Sequence, residues 1–475
     1  MNNSSKLTNS FKWFLAFLCN LALYGTSLGQ SLDYTAFRQQ VLQFHPLIRQ
    51  ADLQQEQARA ALLRARGGFD PKIFAEQSGK TFNGKTYFQY TEAGLKYPTW
   101  AGLELKGSYN LASGNFINSE SALPEAGQAL FGLNWTLGQG LLFDERRASL
   151  EMANIGLNMG AAERLAARNE LMYEAAKAYW TWTYAQNAVN IVTDALKQAK
   201  VRHEALRQSF FQGERSAVDT LETFIQVQTR EVDLQFALND AQNAALGLGV
   251  FWWTENGNQA LPAGLAAPEL WTQTGSQLQP TQDLLRSALA SHPELQIYRA
   301  KLQQLTVERK LKREKLKPIL DVNYNLLGNG WSFFPTATAE GPAVLANDVK
   351  WGVQFSYPIL NRKARGDWQV TRIKIAQTDL EIQQKQQSIT AKVQQYGNDL
   401  ENLRAQTDLF RNMAANYRTL LDAENVRFSI GESSVFLVNT REQRWLDAQL
   451  KYLKLLSEWK KAEAGLQWSA GVLGE

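Results

Sequence analysis

Cysteine is almost missing: the 475 residues hold one, Cys19, and only three histidines, His45, His203 and His292. Cys19 lies in a leading stretch where Lys6 and Lys12 precede an apolar run from Trp13 to Tyr24, and small residues follow at Ser27-Leu28-Gly29. That order is expected of a secretory signal peptide cut after Gly29. Phe17 and Leu18 are too bulky to precede a lipidated cysteine, so a lipoprotein is not expected. A mature chain beginning at Gln30 would have no thiol, which excludes disulfides and cysteine-ligated metal. His45 and His292 each precede a proline and fit helix starts better than metal ligands.

Long apolar runs are also lacking. Beyond residue 29 no stretch of 18 apolar residues occurs, so no spanning helix is expected, and an exported chain is left soluble, surface-anchored or inserted as strands. Charge of one sign is missing too: 50 Lys and Arg face 46 Asp and Glu, a formal +4 that becomes +2 without the two signal lysines, and nothing points to nucleic acid. No nucleophile motif, phosphate loop or metal-ligand spacing appears, so neither an enzyme nor a cofactor is expected. Asp219 and Glu222, three apart on one helix, read as a solvated face before they read as an acid/base pair.

Proline is scarce and unevenly placed. None occurs between Pro124 and Pro262, nor between Asn361 and Ile430, a stretch whose only glycines are Gly366 and Gly397. Gln, Lys, Arg, Leu and Ala dominate residues 361–430, so propensity favours one continuous helix there, roughly 105 Å long at about 1.5 Å per residue. Ile373, Ile375, Leu380, Ile382, Ile389 and Val393 recur at helical spacing, a narrow stripe of the kind a coiled coil buries. A second long helix is expected over 144–212 with a break at Gly213 and a return helix over 217–248, and residues 33–66 read as one helix closed by Gly67-Gly68.

Between these helices the period changes to two. Leu103, Leu105, Tyr109 and Leu111 alternate with polar residues, as do Phe131, Leu133, Trp135 and Leu137. Leu320, Val322, Tyr324 and Leu326 alternate likewise, followed by Val349, Trp351, Val353, Phe355 and Tyr357, all strands with one apolar face. Residues 87–97 and 72–77 are weaker strand candidates. Tyr97, Trp100, Trp135, Trp331 and Trp351 cluster in these regions, either as a membrane-interface girdle or as ordinary strand packing.

The whole pattern occurs twice. His45-Pro46 is answered by His292-Pro293, Pro71 by Pro318, Phe131-Gly132-Leu133 by Trp351-Gly352-Val353, and Gly213-Glu214 by Gly431-Glu432. The chain therefore divides into a signal peptide (1–29), a first repeat (30–250), a linker (251–283) and a second repeat (284–475). The fold class expected is mainly α with a transmembrane β-barrel contribution, built as an internal tandem duplication. A few strands per chain cannot close a barrel, so several chains must share one, with their long antiparallel helices forming an α-barrel about the same axis.

Pro358-Ile359-Leu360 at a strand-to-helix junction, Leu142-Phe143-Asp144 at the matching one, Phe210-Phe211-Gln212-Gly213 before Asp219, and Arg427-Phe428-Ser429-Ile430-Gly431 at a helical turn resemble the TolC-type outer-membrane efflux channel family. The resemblance covers residues 30–475. It implies a homotrimer in outer-membrane lipid, with a twelve-stranded barrel, a twelve-helix periplasmic tunnel and an equatorial region. It also implies a role as exit duct for an inner-membrane pump joined by a periplasmic adaptor, in efflux or type I secretion. The helical-turn tips would be Gly213, Glu214, Gly431 and Glu432. By position, Asp219 fits a gate carboxylate, and Phe428 replaces a tyrosine that would bond it. Ser433 replaces a basic gate residue, and Leu437 and Thr440 stand where aperture acids would be, so that acidic ring is expected to be missing. Pro71 to Leu142 spans 72 residues against 43 from Pro318 to Leu360, and the surplus is expected as an extra strand pair at the rim rather than in an enlarged barrel. The competing functional readings are a periplasmic or surface coiled-coil scaffold without transport and, more remotely, an exported hydrolase.

Overall fold

A computed structural model describes residues 31–119, 122–258, 260–262, 265–270, 280–331 and 348–474. The expected signal segment with Cys19 lies outside them, as do residues 259, 263–264 and 271–279 of the expected linker. Along the chain run α1 (Tyr34–Phe44), α2 (Pro46–Arg66), β1 (Lys72–Phe82), β2 (Lys85–Pro98), β3 (Leu103–Ser113), β4 (Gln128–Gly138), α3 (Glu145–Phe211) and α4 (Ala217–Gly249). A small hairpin of β5 (Trp253–Thr254) and β6 (Gly257–Asn258) leads to α5 (Thr281–Ser291), α6 (Pro293–Glu314), β7 (Ile319–Leu327), β8 (Val349–Ser356), α7 (Arg362–Ser429) and α8 (Val435–Ser469). The segment expected as one helix over 33–66 is two. Proline has no N–H to donate and disfavours a helical residue before it, so His45 is extended at ψ 131° and α2 restarts at Pro46. Pro293 divides α5 from α6 in the same way.

Packing separates the described residues into two units, those within 1–50, 166–292 and 389–475, and those within 51–165 and 293–388. The second unit holds a six-stranded sheet in the order β1-β2-β3-β4-β7-β8, antiparallel throughout. The strand pair expected at the rim therefore lies in the sheet. Asn83 and Gly84 both take positive φ, 50° and 70°, the backbone of the two-residue turn that matches strand twist, and this folds β1 back on β2. Side chains alternate faces along a strand, so the registers sort them into rows. Ile73, Leu95, Gly107, Phe131, Leu326 and Val349 form one row across all six strands, and Tyr97, Leu105, Leu133, Tyr324 and Trp351 another on the same face. The opposite face carries Lys72, Lys96, Lys106, Gly132, Asn325 and Lys350 in one row, and Glu76, Glu92, Asn110 and Gln128 in another. The apolar face is open: Ile73 is 88% exposed, Trp351 70% and Phe355 68%. Below the sheet Phe143, Ala148, Val307 and Leu311 form a small core between the start of α3 and the end of α6.

The first unit is helical. Phe37, Val41, Tyr179, Trp182, Leu248, Leu270 and Leu453 lie in its core, and the buried Tyr179 hydroxyl donates to the Leu32 carbonyl at 2.7 Å. In α7 the buried row differs from the apolar stripe read in the sequence. Ile389 and Val393 are buried, but Ile373 and Leu380 face outward. Thr371 and Thr378, and further along Thr407, Ala414 and Leu421, are the buried positions seven apart, the repeat of a coiled-coil seam with hydroxyls at three of these five positions. Burying threonine in a helix costs little when its hydroxyl is satisfied locally, as that of Thr371 is by the Asp367 carbonyl at 3.0 Å.

Candidate functional site

Both helical turns lie in the first unit and close identically. Gly213 and Gly431 take φ 80° and 85°, a left-handed conformation that glycine adopts without Cβ strain. Gly213 N–H donates to the Phe210 carbonyl and Glu214 N–H to the Ser209 carbonyl, both at 2.9 Å; Gly431 donates to Phe428 at 3.2 Å and Glu432 to Arg427 at 2.9 Å. These paired bonds satisfy the last carbonyls of α3 and α7. Ser216 then caps α4 and Ser434 caps α8. Beyond that point the turns diverge. Asp219 completes a capping box, accepting from Ser216 N–H at 3.3 Å, whereas the corresponding third position of α8 is Leu437, whose N–H donates to Ser434 Oγ at 3.3 Å. Thr440 donates its hydroxyl to the Phe436 carbonyl of its own helix at 2.8 Å, and Leu437 and Phe436 stand exposed.

Asp219 and Phe428 are not brought together as a bonded pair. The Asp219 carboxylate is engaged by its own cap, and the Phe428 ring lies under the Arg215 guanidinium at 4.6 Å, a cation–π contact joining the two turns. Ser433 has a partner that the sequence did not reveal: its hydroxyl donates to Glu424 Oε1 at 2.6 Å, and Arg441 Nε stands 3.6 Å from the other carboxylate oxygen. The Ser433 hydrogen bond, assisted by the charges of Arg427 and Arg441, outweighs burial and holds the Glu424 carboxyl below the ordinary glutamate value of 4.5. A depressed acid contributes stability that is complete above its unfolded pKa and is lost as pH falls through the folded one. Ser433→Ala is therefore expected to raise the pH at which the second turn loosens. Amide exchange of residues 424–434, followed downward from pH 6, measures this, and an unchanged profile contradicts it.

A further polar cluster ties three helices just above the turns. Arg202 of α3 grips Glu442 of α8 with two bonds, 2.6 and 3.2 Å, and also donates to Asn439 Oδ1 at 3.2 Å. Asn439 in turn reaches Glu222 of α4 at 3.5 Å, and His203 Nδ1 pairs with the Thr223 hydroxyl at 3.0 Å. The pair Asp219 and Glu222 is thus divided between a cap and an inter-helix tie. Among the described residues, no group of three or more His, Cys, Asp or Glu is placed to hold a metal ion.

Two long helix pairs joined by matched turns, with an amphipathic antiparallel sheet, make a fold found in solved outer-membrane channels. The chain superposes on the CmeC outer membrane channel of Campylobacter jejuni with a TM-score of 0.65 at 13% identity, over 92% of this chain and 85% of that one. The MtrE outer membrane channel of Neisseria gonorrhoeae, in its open state, gives 0.65 at 16% over 92% and 88%, and the outer membrane protein VceC of Vibrio cholerae gives 0.63 at 12% over 92% and 95%. Residues 284–472 match the sequence profile described as Outer membrane efflux protein, the family whose TolC-type channels the motifs resemble. No curated protein sequence matches the chain.

Proposed function

We propose that the protein is the outer-membrane exit duct of a tripartite efflux or type I secretion system, working as a homotrimer with a periplasmic adaptor and an inner-membrane pump. The observation that supports this reading best is the sheet. Six strands put one continuous, exposed apolar face on one side of the sheet and a charged one on the other, an arrangement that water penalises and a bilayer rewards. A soluble scaffold would have to cover that face. Exposed apolar residues on α7, among them Met413 and Leu420 seven apart, give the helices a second seam for a neighbouring copy. The conduit reading is tested by fractionation: the protein is expected in detergent-extracted outer membrane as a trimer that resists mild denaturant, and a water-soluble monomer overturns it.

The tips Gly213, Glu214, Gly431 and Glu432, with Asp219, Phe428, Ser433, Leu437 and Thr440, form the periplasmic mouth in this reading. Its second-half side is apolar and hydroxylic where Leu437 replaces an acid. Introducing a carboxylate concentrates cations at a narrow mouth, so Leu437→Asp is expected to raise cation preference several-fold in planar-bilayer recordings. No change in reversal potential places Leu437 away from the mouth.

A further inference from the structure

The twelve-stranded barrel implied by the resemblance assigns four strands to each copy, whereas this chain lays six into one sheet. We infer that the free edges of that sheet, β1 and β8, are interaction surfaces for further copies of this chain, and that three copies close an eighteen-stranded wall. This rests on the trimeric conduit proposed above and goes beyond it.

Three observations carry the inference. The additional hairpin has the reach of a membrane strand pair: β1 has 11 residues and β2 has 14, against 9 and 8 for β7 and β8, and a tilted strand of about 9–11 residues crosses a bilayer. It is also joined to the sheet by a ladder, since β2 pairs with β3 from Gln89↔Ser113 to Pro98↔Glu104. A rim feature would need that ladder broken.

The second observation is the sorting of side chains. Ile73 and Leu95 continue the apolar row of Phe131, Leu326 and Val349, while Glu76, Glu92, Lys96 and Lys72 fall on the polar side with Lys106 and Asn110. On that side Glu92 pairs with Lys106 at 2.6 Å, and Lys96 and Lys106 lie over the Phe74 ring at 4.5 and 5.3 Å. A one-residue slip would invert the hairpin and turn these charges toward lipid. The register instead makes the hairpin a continuation of the same membrane wall.

The third is parity. Six alternating strands leave β1 and β8 running in opposite directions, so β8 of one copy can pair with β1 of the next and keep every neighbour antiparallel. Unpaired strand edges are not tolerated in a bilayer, and ring closure by identical copies removes both at once. Barrel diameter grows roughly in proportion to strand number, so the wall is about 1.5-fold wider than a twelve-stranded one.

Electron cryomicroscopy of the full-length protein purified in detergent tests this by counting strands. Eighteen strands in a wall of 1.5-fold the twelve-strand circumference is the expected result. A closed trimeric wall of twelve strands, with residues 72–98 outside it, overturns the inference and leaves the conduit standing. A particle without a closed wall overturns both.

Discussion

Ile389→Pro is expected to abolish the proposed export at unchanged protein level, because it breaks the longest described helix where it is buried. Ile389 is 3% exposed near the middle of the 68-residue α7. Proline there removes the hydrogen bond from residue 389 to the carbonyl four residues back and drives its ring into that carbonyl, a cost of about 3 kcal/mol or more before any lost packing. Ile389→Ala separates the two effects, because it removes the buried side chain for about 2–5 kcal/mol and leaves the helix hydrogen bonds in place. The alanine variant is expected to unfold at lower urea yet retain export and helical circular dichroism. The proline variant loses export, with a kink that packing of neighbouring turns cannot absorb. Accumulation of exported compounds in a deletion strain complemented with each variant gives the comparison, and export by Ile389→Pro equal to wild type contradicts an uninterrupted α7.

The helix ends were legible because glycine, serine and proline mark them. Gly213 and Gly431 terminate α3 and α7, and α3, α4 and α7 lie within a residue or two of the spans read from sequence. Those signals are local, and so is the alternation that located β3, β4, β7 and β8. The sequence signal for the additional hairpin was present in Asn83-Gly84, the dipeptide that a two-residue hairpin turn prefers, but β1 carries apolar residues too sparsely to read as a full strand. Whether such a hairpin extends a sheet is decided by pairing with β3, which no local pattern encodes. The α7 seam is hidden in the sequence for a related reason: Thr371, Thr378 and Thr407 are buried polar residues that break the aliphatic stripe.

The turn cluster was the least legible part. Asp219 reads in sequence as one of a solvated pair with Glu222, and the structure shows that Ser216, three residues before it, holds it in a cap. Glu424 and Ser433 are nine residues apart across a turn, and Arg215 and Phe428 belong to different repeats, so their contacts depend on how the helix pairs meet. One clue lay in the chain: Glu442 sits with Val438 and Leu446 on the buried face of α8, where charge is expensive unless paired.

Arg202→Leu is expected to be the most damaging single change in that cluster. The pair it breaks is largely withdrawn from water, with side-chain exposures of 18% for Arg202 and 5% for Glu442. Removing one member of a buried ion pair costs about 3–5 kcal/mol, mostly because the remaining charge is left without a partner. Glu442→Leu strands the guanidinium instead, and because Arg202 is the more exposed of the two, the smaller loss is expected on that side. The double variant removes both charges and substitutes apolar volume, which is often neutral in such sites. It is expected to regain most of the loss, less about 1 kcal/mol for the Asn439 carbonyl oxygen that no longer receives the Arg202 hydrogen bond. Urea unfolding of the four detergent-solubilised proteins closes the cycle. A coupling energy above about 2 kcal/mol identifies a tie between α3 and α8, whereas an Arg202→Leu effect within about 0.5 kcal/mol of zero is what a solvated surface pair gives. Stability alone would make the double variant resemble wild type. If the cluster also fixes how the helix pairs approach above the turns, the double variant regains stability without regaining normal export, since its leucines hold the same volume without the two-bond register of guanidinium on carboxylate.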